Sequence, residues 1–251
     1  MKKLLLGIAA VCLAGFTFAQ DAPLWMRHSV ISPDGTTIAF TYKGDIYTVP
    51  VAGGRAMQIT TNPAYDTAPV WSPDSKRIAF ASDRMGSLDV YIVAKDGGEP
   101  RRLTTHSGSE TPLAFTDAGH VLFSAGIMPS AEAVVFPSNG QFNQVYRVSV
   151  EGGRPTMISS MPMECISINK EGAMLYQDKK GYEDYWRKHH VSPIARDIWM
   201  YTPGKEPQYR QLTTFGGEDR EPVWAPDGKT FYYLSAVSYT HLRAHETKAN
   251  L

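Results

Sequence analysis

Five stretches of this chain arrive at nearly the same strand-like phrase, and a repeat of that kind constrains the fold before any single residue does. The phrase is Ile31-Ser-Pro-Asp-Gly-Thr-Thr-Ile-Ala-Phe40, then Trp71-Ser-Pro-Asp-Ser-Lys-Arg-Ile-Ala-Phe80. Weaker copies occupy Phe115–Phe123 and Ile168–Tyr176, and Trp224-Ala-Pro-Asp-Gly-Lys-Thr-Phe-Tyr-Tyr233 restores the pattern. The second copy is the clearest in full. Pro69–Ser72 is short and apolar, Pro73–Lys76 is a turn with Pro presetting φ, and Arg77–Ser82 is a β-rich strand. Asp83–Gly86 is a second turn, Asp89–Val93 a third strand, Asp96–Pro100 a third turn, and Arg101–Thr105 a short polar strand.

Four antiparallel strands recurring every ~40–45 residues are the signature of a β-propeller blade. One blade cannot bury both its faces, whereas blades stacked around an axis can. The expected fold is therefore all-β, a propeller of four-stranded blades. The blades are placed at about 24–61, 69–105, 112–159 and 166–214, with the first two strands of a fifth at 222–235. Insertions near Met128–Asn143 and Tyr182–Ala195 lengthen the third and fourth repeats. Trp71, Phe115 and Trp224 are expected between adjacent blades.

Composition removes several function classes. The chain has 25 basic and 25 acidic residues among 251. Without a bulk charge, nucleic acid and membrane surfaces are not expected partners. Residues 1–19 read as an export signal: Lys2 and Lys3 precede an apolar run, and Thr17-Phe-Ala19 supplies small residues for cleavage before Gln20. Cys12 raises the lipoprotein alternative, but Val11 stands where a small residue is wanted. No later apolar run reaches the ~20 residues of a membrane span. Cys165, alone after the signal, is expected to be a buried thiol.

The Ser-Pro-Asp-Gly turn, the Ile-Ala-Phe strand, the Ser-Asp-Arg-x-Gly hairpin, the Asp-Ile/Val-Tyr strand and the closing Leu-Thr-Thr resemble WD-type PD repeats. These repeats are shared by tricorn peptidases, the periplasmic protein TolB and the dipeptidyl peptidase IV group. The resemblance covers nearly all of residues 24–235. Lys43–Gly54, Trp186–His190, Arg196–Tyr201 and Thr214–Arg220 are similar to tricorn-like proteins of secreted, Gram-negative type. It implies a modular, exported serine peptidase in which propellers precede a PDZ-like module and a catalytic domain. None of that family's catalytic residues has a position here, and the chain has no Gly-x-Ser-x-Gly elbow. The resemblance implies peptides or unfolded polypeptide as partners, together with the remaining domains of a parent chain and a possible homo-oligomer. No cofactor is expected. A TolB-like protein-binding propeller and the propeller of a prolyl-oligopeptidase-type hydrolase are the alternatives.

The loops after the Thr-Thr signatures are the candidate functional surface, because they lead into the next blade beside the channel. They read Asn62–Asp66, His106–Glu110 and Phe215–Arg220. At one register they carry Asp66, Glu110 and Asp219, with Arg220 adjoining. One reading is a polar ring at the channel mouth that orients peptides. The other is that each acid accepts backbone N–H bonds and fixes its own turn. His189 and His190 have no partners at defined spacing, and Asp83-Arg84 reads as a hairpin turn. Residues 236–251 break the repeat inside a strand pair and resemble translated adapter sequence, a tail foreign to the protein. His241, His245 and Glu246 within it are therefore not expected to bind a metal.

Overall fold

The computed structural model describes residues 25–126, 143–180 and 193–235. The signal segment, most of the two insertions (with Phe136, Phe142, His189 and His190) and the tail with His241, His245 and Glu246 lie outside those residues.

All elements among the described residues are strands. The first sheet holds β1 (Arg27–Ile31), β2 (Thr37–Tyr42), β3 (Asp45–Pro50) and β4 (Met57–Gln58). The second holds β5 (Asp66–Trp71), β6 (Arg77–Ser82), β7 (Asp89–Ala94) and β8 (Arg101–Arg102). The third holds β9 (Glu110–Asp117), β10 (His120–Ala125), β11 (Gln144–Ser149) and β12 (Thr156–Ser159). The fourth holds β13 (Met163–Ile168), β14 (Met174–Asp178), β15 (Ile198–Thr202) and β16 (Gln208–Gln211), and the fifth pairs β17 (Asp219–Trp224) with β18 (Phe231–Ser235). Each sheet is an antiparallel meander with neighbours in sequence order. The first strands β1, β5, β9, β13 and β17 pack each against the next, which makes them the inner strands around a common axis.

The Ser-Pro-Asp phrase closes the first turn of a blade. Ser32 Oγ donates to Asp34 Oδ1 at 2.6 Å, and the same oxygen accepts the Thr36 N–H at 2.9 Å. Gly35 supplies the left-handed backbone, φ +71°. In the second blade Ser75 takes that position at φ +57°, a conformation that costs a non-glycine residue. Its hydroxyl accepts the Asp34 N–H from the first blade at 3.1 Å, so the strained residue also ties two blades together.

The core is a series of layers between blades, one per junction. A residue at or near the end of an inner strand sits in each layer: Trp71, Phe115, Ile168 and Trp224. The Trp71 indole lies on the first blade and donates to the Val30 carbonyl at 3.2 Å. Trp224 does the same to Ala173 on the fourth blade at 3.3 Å. Ile31 holds the equivalent position in the first blade, where no described blade precedes it, and is 58% exposed against 8% for Trp71. Covering such a side chain stabilises by about 1.5–3 kcal/mol.

Four inner strands carry a β-bulge with a left-handed residue, at His28, Ala68, Cys165 and Glu221, with φ between +51° and +54°. The third blade has Pro112 in this region, whose ring forbids positive φ, and its irregularity moves toward Leu113. Cys165 therefore corrects an expectation. It sits on the bulge with its side chain exposed, because the bulge turns that position out of the alternating pattern. Desolvation by surrounding protein, then the charges of Glu221 and Glu164, push the thiol up to about 11.

Candidate functional site

Asp66, Glu110 and Asp219 stand where β5, β9 and β17 begin, so they belong to the inner strands and not to the loops before them. All three are buried, at 0, 0 and 1% exposure. Strand patterning missed these starts because Asp66-Thr-Ala-Pro69 and Asp219-Arg-Glu-Pro222 carry weak β-formers and a proline. The side chains do not cap their own turns. Each backbone N–H instead crosses to the preceding blade: Asp66 to the Gly44 carbonyl at 2.7 Å, Glu110 to Leu88 at 2.7 Å and Asp219 to Arg196 at 3.0 Å.

That crossing brings each acid beside a second one. The residues after those three carbonyls are Asp45, Asp89 and Asp197, at the entry to the third strand of each blade. A threonine completes the group. The Thr60, Thr104 and Thr213 hydroxyls accept the N–H groups of Ile46, Val90 and Ile198 at 3.0, 2.9 and 2.9 Å. Thr60 Oγ1 also donates to Asp45 at 3.2 Å. Each of these three junctions therefore holds at least two carboxyls, a threonine hydroxyl and a cation, and the fourth adds Asp178, which accepts the Asp197 N–H at 2.8 Å.

The cation comes from a different place each time. At the first junction Arg84 bonds Asp66 at 2.8 Å, its guanidinium 5.5 and 5.0 Å from the Phe80 and Tyr91 ring centres. Asp83-Arg84 is thus a hairpin turn, as its sequence suggests, and Arg84 serves the blade junction from it. At the second junction Arg102 from β8 meets Asp89 at 2.8 Å. At the fourth, Lys180 bonds Asp197, which also accepts from Gln211 at 3.0 Å, while the Ser235 hydroxyl donates to Asp219.

Burial sets the electrostatics. Desolvation pushes Asp45, Asp219 and Glu110 upward, against the pull of their threonine hydroxyls, and Glu110 reaches about 7. One oxygen each of Asp66, Asp197 and Asp219, and both of Glu110, lack a well-aligned hydrogen-bond donor. Arg220 is half-buried on β17, and its charge is felt at Cys165 across the inner strands.

The third junction is built differently. Pairing places Gln144 where the other blades have Asp45, Asp89 and Asp197, Ser159 at the threonine register, and Met163 where an acid would begin the inner strand. The Gln144 carbonyl accepts from the Tyr146 hydroxyl at 2.7 Å, and Met163 is 2% exposed. All three polar positions change together.

What the site offers is a set of buried carboxyls that join blades at one end of the inner strands. Among the described residues no cluster of His, Cys, Asp or Glu is arranged to hold a metal. Sequence reading found the strand-entry acids but passed over Asp45, Asp89 and Asp197. The usable signal was the Asp of each Asp-Ile/Val-Tyr strand, standing at a nearly constant distance before the Thr-Thr pair.

Residues 23–243 match the family described as tricorn protease N-terminal beta propeller domain. The chain is similar to tricorn protease homolog 1 of Streptomyces coelicolor, 24% identical over 89% of this chain and 21% of that protein. It is also similar to the uncharacterized peptidase YuxL of Bacillus subtilis, 30% identical over 96% of this chain and 32% of that protein. Among solved structures, a putative TolB from Agrobacterium tumefaciens has the same fold, with TM-score 0.66 and 17% identity over 88% of this chain and 74% of that one. The chain thus spans between a fifth and a third of the two curated relatives' lengths.

Proposed function

The chain belongs to the tricorn protease N-terminal β-propeller family, and from that premise we propose that it is the non-catalytic propeller of an exported tricorn-like serine peptidase. In this reading it admits and orients peptides or unfolded polypeptide on their way to a catalytic domain, and it gives that domain a scaffold. The observation that carries the reading is the family match across residues 23–243, joined to inner strands that converge on one axis. The carboxyl-bearing junctions at Asp66, Glu110 and Asp219 hold the strand entries in register around that axis. Arg220, half-buried on the last inner strand, is the candidate of the four best able to meet a peptide directly. Export to the periplasm follows from the signal pattern of residues 1–19.

The reading is tested by the complete reading frame of the parent gene. A downstream PDZ-like region and a serine catalytic domain are the expected result, and a stop codon soon after the propeller would overturn it. Residues 20–235 alone should show no labelling by a fluorophosphonate probe. A TolB-like protein-binding propeller is the second reading. It is favoured by the TolB-like fold over 88% of this chain, with TM-score 0.66.

A further inference from the structure

We propose that Asp89 and Glu110 hold one proton between them, so that the second and third blades are joined by a carboxyl–carboxylate hydrogen bond that forms in mild acid and is lost above neutral pH.

The argument starts from charge. Both side chains are fully buried, at 0% exposure. Two ionised carboxylates in such a site repel each other and lose their hydration, and a single nearby cation neutralises one of them. The charged and titratable groups facing Glu110 are Asp89 from β7, Arg102 from β8 and His106 from the loop that leads into β9. Arg102 is engaged with Asp89. The Thr104 hydroxyl, already accepting the Val90 N–H, has one proton to give to one carboxyl. Within its own sheet Glu110 neighbours Ala125, and beyond it Gln144, neither of which ionises.

His106 does not donate a hydrogen bond to Glu110. Its Nδ1 accepts the Gly108 N–H at 3.0 Å, so in the neutral ring that atom turns a lone pair, not a proton, toward Glu110. The separation of 3.9 Å is too long for a hydrogen bond in any case. Both oxygens of Glu110 accordingly lack a well-aligned hydrogen-bond donor, while Asp89 is held by Arg102. One proton placed between the two carboxyls supplies Glu110 with a donor and leaves the group neutral against Arg102. The third junction reaches neutrality by another route, with Gln144 and Met163 at the same two registers.

The direction with pH follows. The folded-state pKa of Glu110 lies above its ordinary value, raised by burial to about 7. Between about 4.5 and 7 the folded protein then holds a proton that the unfolded chain has released, so this group's contribution to stability declines as pH rises through that window and is flat above it. His28, lowered by burial, works in the opposite sense, so the comparison of variants isolates the pair.

The test is a carbon-detected NMR titration of side-chain carboxyls in the full chain, with urea unfolding from pH 5 to pH 8 for the wild type, Glu110→Gln and Asp89→Asn. Glu110 should titrate about two pH units above ordinary glutamates. The wild-type unfolding constant should rise relative to that of Glu110→Gln by up to tenfold per pH unit between 5 and 7. Asp89→Asn, which leaves Glu110 beside Arg102, should lower the Glu110 titration toward the ordinary range. Glu110 titrating with ordinary glutamates in the folded wild type would overturn the proposal. So would a Glu110→Gln variant whose stability parallels the wild type at every pH. If either variant fails to fold, the wild-type titration decides alone.

Discussion

The second and third blade junctions occupy the same place in the repeat and satisfy it with opposite chemistry. Between the second and third blades, Asp89, Thr104, Glu110 and Arg102 form a buried ionisable group. Between the third and fourth, Gln144, Ser159 and Met163 form a neutral one with the Tyr146 hydroxyl. The backbone is indifferent to which is used. Among the described residues the two are not mixed: each buried acid at an inner-strand entry has a second carboxyl and a cation beside it. Buried polar networks are stable when complete and costly when partial, and the two junctions are two complete solutions.

The largest effect should come from mixing them. Met163→Asp places a carboxylate beside Gln144 and opposite the buried Asp178, and should destabilise the chain by about 4 kcal/mol in urea unfolding at pH 8. A loss under about 1 kcal/mol would mean that the site admits water or a distant cation. Next, Arg84→Met removes the guanidinium from Asp66 and from its place over Phe80 and Tyr91, with an expected cost of about 3 kcal/mol. A variant as stable as the parent would show that the first junction is already neutral without its arginine.

Smaller changes separate the hydroxyls. Thr104→Val orphans the Val90 N–H and should cost about 1–2 kcal/mol. Ser159→Ala, at the same register in the neutral junction, should cost about half as much. The smallest effect should come from exchanging the whole set. Asp89→Gln, Arg102→Met, Thr104→Ser and Glu110→Met together copy the third junction into the second, and should leave the chain about as stable as the parent. A collapse of the fold would show that the carboxyls also shape the backbone.

The architecture was legible because the repeat states it five times. The Ser-Pro-Asp-Gly turn and the aromatic strand ends needed no neighbour to be recognised, and Trp71 and Trp224 lie between blades as their periodic placement implies. The acids at Asp66, Glu110 and Asp219 were also visible as a register. Their meaning was not, because it depends on pairing across blades. Asp45 and Asp66 lie far apart in the chain and meet only when β5 packs on the first sheet. Cys165 was misplaced for a related reason: alternation cannot foresee a bulge, and the bulge turns the thiol outward. The change of chemistry at Gln144 and Met163 was hidden because a missing acid leaves no motif to notice.

The central claim is that the carboxyls of a junction act as one unit, and a double-mutant cycle tests it most directly. Asp89→Asn and Glu110→Gln, singly and together, would be measured by urea unfolding at pH 8. Once either carboxyl is neutral the repulsion is gone, so the second substitution should add little. The pair should depart from additivity by at least about 1 kcal/mol. Additivity within about 0.5 kcal/mol would contradict the account, because it would mean that the two buried acids do not sense each other.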